Sequence, residues 1–172
     1  MLLSMSIAGL TFVGAYIGGF FGNPDTELLT RWYQAAAYQP FFRGHAHHDS
    51  DRRETWVFGE PHTSHIRSAI RERYSLLPQL HTILHWAHST ASENPFITQY
   101  KPILGQGKLH DGIPKHIPVF QRGGSIVTRK RRVRRSSALM HHDPVSLLIT
   151  LDANDQPKVN CIWMMSAHLR TN

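Results

Sequence analysis

Hydrophobic residues form one continuous run near the N-terminus, and glycines follow it directly. The run from Ile7 to Val13 is typical of a parallel strand that is buried on both faces, so we predict a strand over residues 4–13. The next segment, residues 14–21, contains three glycines and is predicted to be the loop at the strand's end. Glycines there let the backbone approach a ligand closely. Two adjacent phenylalanines begin a second predicted strand, residues 41–45.

Apolar residues at helical spacing predict helices between and after these strands. One apolar face predicts a helix from Pro24 to about Tyr38, which Pro40 prevents from continuing. Two further helices are predicted over residues 64–77 and 80–87, with Pro78 between them. The order strand, helix, strand, helix is the order found at the end of an α/β barrel.

The second half of the chain has fewer periodic segments. Residues 94–114 show no periodicity and are rich in glycine and proline, which is typical of a linker. The segment Ile117–Val127 predicts a strand, a turn and a strand, and Val145–Leu151 predicts another strand. Residues 153–172 show no pattern that predicts an element.

The length and charge of the chain limit the classes of fold and function that it can belong to. A chain of 172 residues can bury a core but is shorter than a complete eight-stranded α/β barrel, which needs roughly 250. With 41% hydrophobic residues it is not disordered by composition. The net charge of +7 is concentrated in the run Arg129–Arg135, so the remainder is nearly neutral.

The first residues raise the question of targeting. No charged residue occurs between Met1 and Phe21, so the segment can be read as a signal peptide or a membrane span. It lacks the basic start and the compact apolar core of a signal. We therefore expect the chain to begin inside a domain, without membrane association. The single cysteine, Cys161, cannot form an internal disulfide and leaves secretion open.

Six segments resemble, in order, one enzyme family. They are Gly14-Ala-Tyr-Ile-Gly-Gly-Phe20, Arg31-Trp-Tyr-Gln34, Gln39-Pro-Phe-Phe-Arg-Gly-His45, Arg52-Arg-Glu-Thr-Trp56, Ile117-Pro-Val-Phe-Gln-Arg-Gly-Gly-Ser125 and Val133-Arg-Arg-Ser-Ser137. Together they are similar to glycoside hydrolase family 31, in particular to the α-glucosidases that trim glucose from N-linked glycans. The resembling blocks cover about two thirds of the chain.

The resemblance implies an α/β fold with a defined division of the chain. Residues 1–90 would be the last strand–helix units of a TIM (β/α)8 barrel, the C-terminal part of the catalytic domain. Residues 117–152 would be part of a truncated β-sandwich domain. Between them, residues 91–116 replace a longer stretch of the family and are expected to be a linker or deletion junction. Residues 153–172 are a divergent tail.

The resemblance also implies a chemistry that this chain lacks the groups to perform. The family hydrolyses O-glycosyl bonds of α-linked glucose with retention, which requires two carboxylates about 5 Å apart, and it uses no metal or other cofactor. Both aspartates lie on earlier strands of the family's barrel, so we expect no catalytic residue here. Where the family has Gly-Ala-Asp, with an aspartate that binds the terminal glucose, the chain has Gly14-Ala15-Tyr16.

Three residues match sugar-binding positions of the family. Phe20 matches an aromatic wall of the glucose pocket, and Arg43 and His45 match residues that contact sugar hydroxyls. We therefore predict these three as substrate-binding residues, beside Tyr16 in the place of the family's aspartate.

Two other classes of function compete with this interpretation. A His45-x-His47 pair at a barrel strand's end is also how metal-dependent amidohydrolases bind a divalent ion. Histidines on opposite faces of one strand rarely chelate one ion, however, so we expect no metal. The basic run Arg129–Arg135 would suit a module that binds nucleic acid or anionic partners. It has no interleaved aromatic residues for base stacking, so we expect a solvated face and no nucleic-acid binding.

The family's setting follows from the resemblance alone. Full-length relatives act on carbohydrate in the endoplasmic reticulum together with a beta subunit. Because this chain has no convincing signal peptide, its own location is an open question, with the cytoplasm expected if it is made as it stands.

Overall fold

The computed structural model describes residues 1–90, 126–133 and 142–150. Within these ranges the helices are α1 (Leu2–Ile7), α2 (Thr26–Ala36), α3 (His62–Ser75) and α4 (Leu77–Thr90), and the strands are β1 (Ile126–Lys130) and β2 (Val145–Ile149). The two strands form an antiparallel pair, with Ile126 opposite Ile149. The predictions for residues 91–116 and 153–172, and for the start of the predicted strand–turn–strand segment, lie outside the described residues.

The strand predicted over residues 4–13 is wrong. Its first part belongs to α1, and the Ala8 N–H donates to the Ser4 carbonyl at 3.0 Å in a local helical bond. A continuous apolar run does not distinguish a strand from a helix by its period. Among the described residues, backbone bonds to another segment begin only at Val13. The backbone bonds made by the residues before it are local, as in a helix and not as in a strand.

The second predicted strand, residues 41–45, is present only as an extended segment with one bridge. Tyr16 and Arg43 form an isolated parallel bridge. The Phe41 N–H donates to the Val13 carbonyl at 3.1 Å, and the Ile17 N–H donates to the Arg43 carbonyl at 2.9 Å. The parallel neighbours expected at the end of a barrel therefore lie side by side, but their pairing is displaced toward the glycine-rich loop.

Helix α2 confirms the helix predicted after Pro24. The Asp25 carboxylate accepts the Leu28 N–H at 2.7 Å and caps the first turn. At the other end, the Arg73 guanidinium donates to the carbonyls of Ala37, Gln39 and Pro40. These carbonyls lie just beyond the C-terminal end of α2, where no helical N–H is available to them. Arg73 of α3 therefore stabilises the turn that ends α2.

Helices α3 and α4 confirm the two further helical predictions with shifted ends. α3 begins at His62 and ends at Ser75, and α4 begins at Leu77. Pro78 lies in the first turn of α4, where its missing N–H would have had no helical acceptor. Pro78 therefore begins a new helix and does not interrupt an existing one.

Two hydrophobic clusters hold these elements together. The first joins the glycine-rich loop, α2 and α3, and its buried members are Ile17, Leu29, Tyr33, Ala36, Ile66 and Ala69. The second joins α4 to β1 through Leu76, Leu80, Ile83 and Val127. Gln79 adds polar contacts there, because its side-chain oxygen accepts the Thr128 N–H and hydroxyl, each at 3.1 Å. The first cluster positions the candidate site. Among the described residues, no helix has the length and apolar character needed to cross a membrane.

Tyr38 provides a pH-dependent test of the second cluster, against which it packs. Burial, and then the nearby Glu72 carboxylate, raise the pKa of Tyr38 to about 12, while Arg129 partly opposes them. The unfolded phenol ionises near pH 10. Stability should therefore be unaffected by Tyr38 below about pH 10 and should fall from there toward pH 12. The free energy of unfolding of Tyr38→Phe, measured with urea, should fall less across that pH window than that of the unaltered chain. An equal fall in both proteins would contradict this packing.

Candidate functional site

The loop after residue 13 has a fixed shape that depends on its glycines. Gly18 and Gly19 have φ of 86° and 77°, in the left-handed region that favours glycine. The Arg53 guanidinium donates to the carbonyls of Gly18 and Gly19, each at 3.0 Å, and to that of Gly22 at 2.6 Å. Arg53 therefore cross-links the loop from a segment about 30 residues further along the chain.

Gly14 allows two segments of the backbone to pack closely against each other. A Cβ atom at this position would lie 2.2 Å from the Phe41 carbonyl oxygen. Only glycine lets the two parallel segments come so close, because any larger residue would push Phe41 away.

A continuous aromatic surface follows from this close approach. We call it the aromatic ridge, and its members are Phe12, Tyr16, Phe20, Phe21, Phe41, His45 and His47. Its ring centres are linked in sequence by separations between 4.8 and 5.9 Å, the shortest joining Phe20 to Phe21. Its two ends are open to solvent, with Phe12 62% and Phe21 76% exposed.

The residues predicted from the family motif lie together at the middle of the aromatic ridge. The Tyr16 ring centre is 5.2 Å from that of His45 and 5.9 Å from that of Phe20. The Arg43 guanidinium carbon lies 6.0 Å from the Tyr16 ring centre. Phe20, Arg43, His45 and Tyr16 thus share one surface, built by a loop and an extended segment that are adjacent in space.

Each carboxylate among the described residues forms a hydrogen bond or an ion pair with another residue of the chain. Their partners are Leu28 for Asp25, Arg31 for Glu27, His47 and His48 for Asp49, Asn23 for Asp51, Arg52 for Glu54, Ser64 for Glu60, Arg129 for Glu72 and Lys130 for Asp143. Hydrogen bonds from Arg52 and Ser64 lower the pKa of Glu54 and Glu60 respectively. A general acid needs a raised pKa, so these two groups are unsuited to that role.

The two histidines of the His-x-His motif do not lie on opposite sides of a strand, as the sequence suggested. His45 and His47 both contact the Phe20 ring, at 5.6 and 5.8 Å between ring centres. Among the described residues, the possible metal ligands that lie close together belong to His47, His48 and Asp49. His45 is not part of this group.

The basic run is only partly a solvated face. Its first residue, Arg129, forms an ion pair with Glu72 of α3 and also donates to the Ser75 hydroxyl at 3.2 Å. Lys130 is buried beside Asp143, with 4.0 Å between the charged atoms. Within the described part of the run, Lys130 is therefore shielded from a nucleic acid, and the partly exposed Arg129 is already paired with a carboxylate.

Arg53 and Gly14 were not identified as positioning residues from the sequence. Arg53 lies in a polar stretch without periodicity, and a single arginine there resembles any solvated charge. The motif Arg52-Arg-Glu-Thr-Trp56, which carries part of the family resemblance, was the one available signal.

Comparison with known proteins agrees with this architecture. Residues 1–83 match the family model described as "Glycosyl hydrolases family 31 TIM-barrel domain". Through these residues the chain belongs to glycoside hydrolase family 31, and its fold is of the α/β class. Human neutral alpha-glucosidase C is 65% identical over 203 aligned positions, which cover 88% of this chain and 22% of that protein.

Solved structures point to the same branch of the family. The glucosidase II alpha subunit with alpha3-Glc2 bound has a TM-score of 0.74 and 35% identity, over 87% of this chain and 22% of that one. The heterodimeric complex of ER glucosidase II, formed by the catalytic subunit and the binding domain of the regulatory subunit, has a TM-score of 0.73 and 36% identity, with the same coverage.

The chain spans about a fifth (22%) of the length of each of the three relatives described above. The alignment with the human relative runs over 203 positions, more than the 172 residues of this chain. The relative therefore has residues inside the matched region that this chain lacks.

Proposed function

We propose that this chain supplies the C-terminal part of the catalytic (β/α)8 barrel of a family 31 α-glucosidase, in residues 1–90. Residues 117–152 form part of the β-sandwich domain, residues 91–116 are the shortened junction between them, and residues 153–172 are a divergent tail. The family match to residues 1–83 and the excess length of the alignment support this division.

The proposed ligand is a terminal α-linked glucose, which contacts the middle of the aromatic ridge. The single observation that carries the proposal is the contact of Tyr16, Phe20 and His45 beside the Arg43 guanidinium. Aromatic faces offer the apolar surface on which the C–H face of a sugar ring packs. Arg43 and the His45 imidazole supply the polar groups that orient its hydroxyls.

Binding is tested by titrating an α-1,3-linked glucose disaccharide and following the ligand's NMR signals. Replacing Phe20 with alanine should weaken binding roughly fivefold, because one packed aromatic face contributes about 1 kcal/mol. The matched control is Trp56→Ala, which removes an aromatic ring that is 67% exposed and outside the aromatic ridge. Equal losses in both variants, or no loss in Phe20→Ala, would contradict this location of the site.

We further propose that a polypeptide of residues 1–172 does not hydrolyse the sugar. Its described carboxylates are held in other contacts, and the phenol of Tyr16 stands where the family has an aspartate. A purified sample should release no chromophore from an α-glucoside above the buffer blank. Tyr16→Asp should not restore turnover, because one carboxylate cannot supply both the nucleophile and the acid/base. Turnover that is abolished by His45→Ala would refute the proposal.

The intact enzyme's partner and compartment follow only from its relatives. The matching complex joins a catalytic subunit to the binding domain of a regulatory subunit and is assigned to the ER. We propose the same class of partner and the same compartment for a full-length protein that contains this segment. Binding of anions through Arg129–Arg135 is not favoured, because Arg129 and Lys130 already pair with carboxylates of the fold.

A further inference from the structure

The turn that follows the aromatic ridge holds three metal-binding side chains close together. His47, His48 and Asp49 each present one possible ligand atom, and these atoms lie within 4.8 Å of one another. The two imidazole rings lie against each other, with 4.0 Å between their centres. The Asp49 carboxylate contacts both, with one oxygen 3.4 Å from His47 Nδ1 and the other 3.1 Å from His48 Nε2. The side chains of His48 and Asp49 are 79% and 76% exposed, so an ion could enter directly from solvent.

The two histidine-to-carboxylate separations, 3.4 and 3.1 Å, are close to those around a tetrahedral ion of the zinc class, and small side-chain rotations would bring the third separation to the same value. Ligand atoms at about 2.0–2.2 Å from zinc are separated from one another by roughly 3.3 Å. Two imidazoles and one carboxylate are a donor set that zinc and related transition metals accept, while calcium and magnesium prefer oxygen ligands alone. Three protein ligands leave a fourth position for water, as expected of an exposed site.

The backbone of the turn is fixed on both sides of the cluster. The His47 N–H donates to the Phe20 carbonyl at 2.8 Å, and the Ser50 N–H donates back to the His47 carbonyl at 3.0 Å. Beyond the cluster, the Asp51 N–H donates to the Asn23 side chain at 2.9 Å, and the Asn23 amide donates to the Asp51 carboxylate at 2.7 Å. Ion binding would therefore require side-chain rotations but little ordering of the main chain.

We propose that His47, His48 and Asp49 bind one zinc-class divalent ion at the solvent edge of the aromatic ridge. His47 also contacts the Phe21 ring at 5.5 Å between ring centres. A bound ion would hold His47 in one position against Phe21 and would stiffen the exposed end of the surface that we assign to the sugar. The proposal stands on the geometry of the turn and does not depend on the sugar assignment.

The test is a calorimetric titration of the full chain with zinc alone. One ion should bind per chain, and His48→Ala should weaken binding at least tenfold, since losing even an outer contact of a metal ligand costs about 10–100-fold. Asp49→Asn, which keeps the side-chain shape, should weaken it as well. The control is the double variant His81→Ala with His85→Ala, which removes two exposed histidines of α4 and should leave the affinity unchanged.

Histidine-ring NMR signals of the unaltered chain provide a second measurement that needs no variant to fold. During the first equivalent of zinc, the signals of His47 and His48 should shift before those of α4. The proposal is overturned if the α4 histidines respond first. It is equally overturned if the α4 double variant weakens binding as much as His48→Ala does, because zinc would then be binding exposed histidines without preference.

Discussion

Replacing Gly14 with alanine is expected to destabilise the fold by about 3 kcal/mol, at the upper end for an overpacked site. The added methyl group would lie 2.2 Å from the Phe41 carbonyl oxygen and 2.9 Å from its Cβ. Backbone cannot rotate out of the way as a flexible side chain does, so the two parallel segments must separate. That separation would break the bond from Phe41 N–H to the Val13 carbonyl. Urea unfolding with and without the substitution measures the loss.

Gly44→Ala is the matched control for that prediction. The same methyl group at this position would meet the Tyr33 hydroxyl at 3.0 Å, so the end of this buried side chain must move by only a few tenths of an ångström while the backbone stays in place. The backbone of Gly44 has no positive φ, so alanine causes no strain there, and reduced entropy of the unfolded chain favours it slightly. We expect a change below about 1 kcal/mol. Equal effects at the two positions would show that the close approach at Gly14 is not what holds the parallel segments together.

Helices α2, α3 and α4 could be predicted because their signals are local. The Asp25 cap, the apolar face of α2 and the proline at the start of α4 act within a few residues of where they occur. The strand over residues 4–13 failed for the opposite reason. A strand is defined by the neighbour that accepts its hydrogen bonds, and among the described residues only the part from Val13 onward has one.

The residues of the candidate site could be predicted as a group, but the residues that hold them in position could not. The family motif predicted that Tyr16, Phe20, Arg43 and His45 belong to one surface, and the structure brings them together. Their roles in binding sugar remain a prediction. The placement of His45 and His47 on opposite faces was wrong, because it assumed a regular strand where the chain has only one bridge.

Replacing Arg53 with alanine is expected to destabilise the fold by about 3 kcal/mol and to loosen the aromatic ridge. Three carbonyls, of Gly18, Gly19 and Gly22, would lose their charged donor. Hydrogen bonds to charged groups contribute about 1.5–3 kcal/mol each, and partial exposure reduces the sum. The loop carries Tyr16 and Phe20, so near-ultraviolet circular dichroism should also lose intensity.

Arg52→Ala is the control for Arg53, since it removes the neighbouring guanidinium. Arg52 is 76% exposed and pairs with Glu54, and exposed ion pairs contribute 0 to about 1 kcal/mol. Arg53→Lys adds a second test, because an ammonium keeps the charge but cannot form the planar fork that contacts all three carbonyls. It should recover less than half of the lost stability. Full recovery would mean that charge alone holds the loop. A loss in Arg52→Ala as large as that in Arg53→Ala would mean that the cross-link to the glycine carbonyls does not determine the loop's stability.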